Sequence, residues 1–248
     1  MMKKFDEMLA HYNKLSEIKQ GVTKAVLATG RGLKDEFYMI ERDSLLSAHG
    51  KSKKKEEVKK QYEKALIKEL RRIRDEYDQT VIKARVAAET ILNEKPEKPS
   101  PTAVSTFERK FNDFKMRLML QTNAETALRE LKDFVNTQND PYFAYQILNE
   151  FPELVQSILG AAGSDAATYK TKLRDVYDTI VSKSMTEEQK KAKSIYDSLE
   201  HELDRPLMIE GGAEMNAIRD TFGPQVAKYA NNPHQYVLES EQGKEKSE

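Results

Sequence analysis

Residues 51–95 read KSKKKEEVKKQYEKALIKELRRIRDEYDQTVIKARVAAETILNEK, with no Pro or Gly inside. The apolar positions are Tyr62, Leu66, Leu70, Ile73, Tyr77, Val81, Ala84, Ala88 and Ile91, eight steps over 29 residues. The mean step of about 3.6 is the period of a straight α-helix. A strict 3.5 repeat would impose a left-handed supercoil, and this stretch lacks one. The spacing predicts a single helix over about 52–94, on the order of 65 Å long, serving as a strut in a bundle. Pairs such as Glu56–Lys60, Arg71–Asp75, Arg72–Glu76 and Arg74–Asp78 add only a few tenths of a kcal/mol each. Partner helices must supply the rest.

On the N-terminal side, Phe5, Met8, Tyr12 and Leu15 step 3-4-3, which predicts an amphipathic helix to about Lys19. Val22–Thr29 extends it past Gly21, and Gly30-Arg31-Gly32 is expected to stop it. A second helix is expected over 33–47, with Leu33, Phe37, Ile40 and Leu45 or Leu46 inward, followed by a turn at His49-Gly50. On the C-terminal side, Pro96, Pro99 and Pro101 end the long helix and favour an extended hinge over 96–101. Ser100 can cap the next helix with Pro101 at its first position, and Ser105 with Glu108 offers a second capping box. Val104, Phe107, Phe111, Phe114 and Leu118 then step 3-4-3-4, a heptad-like seam rich in aromatics. Short helices follow. They are bounded by Thr122–Glu125, by Asp140-Pro141, by a break at Phe151-Pro152, by a loop over Gly160–Ser164, and by Thr186 with Gln189. Beyond Pro206, Gly and Pro divide the chain into short pieces.

The expected class is all-α, with an N-terminal helical region over 1–95, the hinge over 96–101, a helical bundle over 102–230 and a polar, disordered tail over 231–248. No alternating strand pattern occurs.

Composition excludes several functions. With no Cys, disulfides, thiolate metal sites and cysteine nucleophiles are ruled out. No apolar run reaches the ~18 residues of a membrane span, and no membrane partner is expected. Asp6 and Glu7 interrupt any signal-peptide core after Lys3 and Lys4, so a cytoplasmic location is expected. The net charge of zero hides an asymmetry: residues 51–95 carry 14 basic and 9 acidic side chains, residues 184–248 carry 8 and 13.

Candidate sites are few. His11, His49, His201 and His234 lack a second ligand at metal spacing. Gly30-Arg31-Gly32 lacks the strand and the Lys-Ser/Thr pair of a phosphate loop. No Gly-x-Ser-x-Gly elbow is present, and Glu187-Glu188 suit the first turn of a helix. No catalytic residue, cofactor or metal is therefore expected. Two clusters remain. Val104, Phe107, Phe111, Phe114 and Leu118 form either a core stripe or a groove for a partner subunit. Lys51, Lys53, Lys54, Lys55, Lys59 and Lys60 form a basic start to the long helix, suited to an acidic partner or to nucleic-acid phosphates. That cluster has no interleaved aromatics for sequence readout.

The long strut over 51–95, the proline hinge Pro96–Pro101 and the polar tail Glu239–Glu248 together resemble, in overall style, the virion structural and head-assembly proteins of tailed phages. The resemblance implies a non-catalytic assembly protein, a homo-oligomer or a binder of a shell protein, that is associated with the virion. The alternative is a nucleic-acid-associated helical protein that uses the Lys51–Lys60 cluster.

Overall fold

The computed structural model describes residues 3–236, and among them every regular element is helical. Nine α-helices run in chain order: α1 Lys4–Arg42, α2 Ala48–Leu92, α3 Pro101–Met119, α4 Ala124–Asn136, α5 Pro141–Ala162, α6 Ala166–Ser184, α7 Glu187–Ser198, α8 Ala213–Phe222 and α9 Pro224–Tyr229. The chain divides into two compact units. Unit 1 is residues 1–87 with 195–248, and unit 2 is residues 88–194. The division differs from the one read in the sequence. The proline segment lies inside unit 2, with Pro96 buried, and residues 195–230 group with the N-terminal helices.

In unit 1, α1 and α2 form an antiparallel hairpin. Lys14 pairs with Glu76 at 2.7 Å, and the Lys51 ammonium donates to the Glu41 carbonyl at 2.5 Å. The stripe read from the sequence is the buried face of α2, from Leu66 through Ala84. α1 corrects the sequence reading, for it is continuous through Gly21, Gly30 and Gly32, α2 starts early enough to absorb His49 and Gly50, and Leu45 lies exposed in the turn between them instead of inward. The tertiary face explains the continuity. Val22, Val26 and Leu33 are buried on one side of α1, and that burial offsets the roughly 1 kcal/mol that each glycine costs a helix. Gly32 has a packing role of its own. A Cβ there would sit 2.8 Å from Tyr62 Cε1, so its absence lets α2 approach.

α8 lies along α1, where the Thr23 hydroxyl donates to Glu214 at 2.9 Å. The C-terminal pieces are tied by polar side chains. Asn231 exchanges two hydrogen bonds with the Met208 backbone, both at 2.9 Å, and Arg71 donates to the Pro233 carbonyl at 3.0 Å. Residues 231–236 therefore depart from the expected tail. Pro233 is buried and Pro233–Gln235 is a 3₁₀ turn. Residues 237–248, including the expected Glu239–Glu248 tail, lie outside the described residues.

In unit 2, α3, α4 and α6 pack against α5. The capping signals act largely as read. The Ser100 hydroxyl accepts from Ala103 N–H, and Thr186 and Gln189 form a reciprocal box. Asn123 rather than Thr122 caps α4, and Ser105 lies within α3. Gln189 also donates to the carbonyls of Ile91 and Glu94 at 3.2 and 2.7 Å, which closes the end of α2. The break expected at Pro152 is absent, because α5 runs through it. Ile147 and Phe151 on one side and Leu154 and Ile158 on the other are all buried in the same core, and this outweighs the ~3 kcal/mol that an interior proline costs.

Two stability predictions follow from this packing. A Cβ at Gly21 meets nothing within 4 Å, so Gly21→Ala should stabilise the protein by about 0.5–1 kcal/mol in urea unfolding. Gly32→Ala, which must displace Tyr62, should not; an equal gain at both positions would contradict the close approach. Phe114 is almost wholly buried and stacks on Phe134 at 4.4 Å. Phe114→Ala should cost about 3–5 kcal/mol, and a loss under 1 kcal/mol would remove that ring from the core.

Candidate functional site

The five seam residues meet inside unit 2. Val104, Phe107, Phe111, Phe114 and Leu118 are all buried. Phe107 stacks on Phe143 at 4.5 Å, and Phe111 on Phe134 at 5.7 Å. The seam is therefore covered by the chain itself, the core stripe of the two readings the sequence allowed. The sequence pattern was that of a helix seeking a partner. The partner is α4 with α5, whose stripes lie close in the same chain.

Phe107 also reaches a groove. This trough of about 800 Å³ has Phe107, Phe134 and Phe143 at its base. One wall is the outward side of α3, carrying Thr106, Lys110, Asp113 and Arg117. Continued to Leu120, this row steps 4-3-4-3, so α3 carries a second heptad-like row on its solvent face. The inner seam drew attention by its aromatics, and the outer row is legible only once the inner one has been assigned to the core. Lys110, Asp113 and Arg117 are exposed and make no ion pair with any described residue. Leu120 and Met116 stand 77% and 59% exposed at the end of the row. The opposite wall is fixed in place, since the Thr137 hydroxyl and the Gln138 amide both donate to the Phe134 carbonyl, at 2.7 and 3.1 Å.

The lysine cluster lies on the first turns of α2, in unit 1. Four of its six members have partners. Lys55 pairs with Glu41 and lies over the Phe37 ring at 5.5 Å, and Lys51 holds the Glu41 carbonyl. Lys60 is 3.4 Å from Glu56, and Lys59 is 4.0 Å from Glu63. Lys53 and Lys54 are exposed. The structure thus divides the cluster that the sequence presents as one.

Sequence reading missed a polar network in unit 1, because its members lie as much as 183 positions apart in the chain. Glu202, 8% exposed, accepts from the Tyr77 hydroxyl at 2.5 Å and from Lys19 at 3.2 Å, and pairs with Arg205 at 2.6 Å. Arg74 forks onto Asp78 at 3.0 Å for each contact and donates to the carbonyls of Leu203 and Arg205. An open groove of about 480 Å³ borders the network. Burial alone would raise the Glu202 carboxyl. The hydrogen bonds from Tyr77 and Lys19 and the charges of Lys19 and Arg205 outweigh it and hold the carboxyl below its ordinary value of 4.5. Burial and the Glu202 bond push the Tyr77 hydroxyl well up. The phenol is thus a fixed donor to the Glu202 carboxylate. The network acts as a latch that holds the 199–205 turn to α1 and α2.

Among the described residues no three His, Asp or Glu side chains gather as metal ligands, and no helix is long and apolar enough to cross a membrane. Compared with protein-family models, with curated proteins and with solved structures, the chain matches none.

The latch makes a pH prediction. A carboxyl lowered by folding contributes fully above 4.5, and the contribution is lost as the pH falls through the lower folded value. Glu202→Gln should reduce stability near neutrality by about 1–3 kcal/mol and flatten the acid limb of stability against pH. Unchanged stability at neutral pH and an unchanged acid limb would show that the latch carries no load.

Proposed function

We propose that this chain is a non-catalytic structural or assembly protein, acting through helix–helix contacts with other protein subunits. The observation that carries the reading is the outer row of α3. It combines a heptad-like spacing, an aromatic-floored groove and exposed apolar side chains at Met116 and Leu120. A helix laid along this row would bury Leu120 and Met116 and set acidic side chains against Lys110 and Arg117. It would gain from apolar area at the centre of the contact and from charge at its rim.

Copies of the same chain are the partner this reading names first, and a shell protein is the second. The resemblance in style to tailed-phage head-assembly proteins supports a virion or head-assembly role in the cytoplasm. The nucleic-acid alternative draws on Lys53 and Lys54 alone, since the other four lysines are engaged within the chain. Two lysines make few phosphate contacts, so its support is the weaker.

Solution mass measured by light scattering over a range of concentrations tests the proposal. Wild type should exceed the 28.5 kDa of one chain. Arg117→Glu with Leu120→Asp should weaken assembly at least about tenfold, the loss expected for central contact residues, without loss of helical circular dichroism. A single-chain mass for wild type at every concentration, or an oligomer untouched by the double variant, would defeat this use of the groove.

A further inference from the structure

The turn between α1 and α2 has an unusual surface. A helix–helix connection ordinarily presents polar residues to solvent. Here Leu45 is 93% exposed, and Met39 and Tyr38, just before the turn, are 67% and 59% exposed. Leu45 is held where it is. Asp43 Oδ1 accepts from the Leu45 N–H at 2.9 Å, and the Ser47 hydroxyl oxygen accepts from the Gly50 N–H at 3.2 Å. The same tip is basic. Residues 38–55 carry five Lys and Arg side chains against two acidic ones. Both acids are occupied: Glu41 binds Lys55, and Asp43 closes the turn. Arg42 is held by the Tyr38 hydroxyl at 2.6 Å. Lys53 and Lys54 remain exposed and form no ion pair among the described residues. Helical side chains lean toward the helix N-terminus, so on α2 these lysines lean toward the tip.

We propose that this hairpin tip docks on the surface of an anionic phospholipid bilayer. Leu45 enters the acyl boundary, and Tyr38 and Met39 flank it at headgroup depth, where aromatic rings with a polar end are favoured. Lys53 and Lys54 face the anionic headgroups. An apolar anchor ringed by cations is the composition that membrane interfaces reward. A nucleic-acid backbone would use the lysines and leave Leu45 without a role. The expectation of no membrane partner rested on the absence of a span, and a surface contact needs none. One leucine and two lysines give a weak, reversible attachment, which strengthens when several copies bind together.

The test uses the full chain with phosphatidylcholine vesicles, with and without phosphatidylserine. The chain has no Cys, so Leu45→Cys carries a polarity-sensitive dye at one defined position. The protein should sediment with the phosphatidylserine vesicles only, and the dye emission should shift to the blue on binding. Binding should fall as salt rises. Lys53→Glu with Lys54→Glu, and separately Leu45→Asp, should each weaken binding about tenfold or more. All three side chains are exposed, and circular dichroism checks that the variants fold. No sedimentation at low salt, or binding unchanged by Leu45→Asp, would overturn the proposal. So would retention on duplex DNA, lost with the lysines but kept with Leu45→Asp, in a protein that ignores the vesicles.

Discussion

The structure depends on burying narrow apolar stripes. The chain has a mean hydropathy of −0.74, so each helix carries about one apolar row and must lay it against another row to hold its shape. On α2 the row runs from Leu66 to Ile91, and on α3 from Val104 to Leu118. Both rows are buried. The large apolar side chains left exposed include Met116, Met119 and Leu120 at the end of α3, Leu45 on the α1–α2 turn, and Ile209.

Polar side chains do a complementary task, which is to satisfy backbone groups where helices stop. Gln189 closes the end of α2, Arg74 takes the carbonyls of the 199–205 turn, and Arg71 takes that of Pro233. Each gives a carbonyl at a helix or turn end a side-chain donor, and those of Ile91 and Pro233 also accept from backbone N–H groups. The Tyr77–Glu202 pair instead joins two side chains, from α2 and the 199–205 turn.

Much of the fold was legible in the sequence. A period of 3.6 with no breaker gave α2 its extent. Ser100-Pro101, Asp140-Pro141 and Thr186 with Gln189 gave helix starts, because a cap is a local event involving three or four residues. Long-range effects were illegible. Gly30 and Gly32 look like a stop until Tyr62 is seen to lie against α1. Pro152 looks like a break until Phe151 and Leu154 are seen in one core. The return of residues 195–236 to the N-terminal helices depends on contacts such as Lys19–Glu202, which no local pattern encodes. The candidate site was half legible. The seam was found, but its direction was not, since an apolar heptad is the same whether its partner lies in the chain or outside it.

The central claim is that α3 turns its aromatic row inward and its Thr106–Leu120 row outward. Thiol labelling measures this directly, in single variants Phe111→Cys and Asp113→Cys of a chain with no Cys of its own. The account predicts that the thiol at position 113 reacts as fast as one in an unfolded peptide in dilute solution and slows as concentration rises. The thiol at position 111 should react only as fast as unit 2 unfolds. Rapid labelling at position 111 in the native protein would contradict the account, because it would open to solvent the row that the rest of unit 2 is built around.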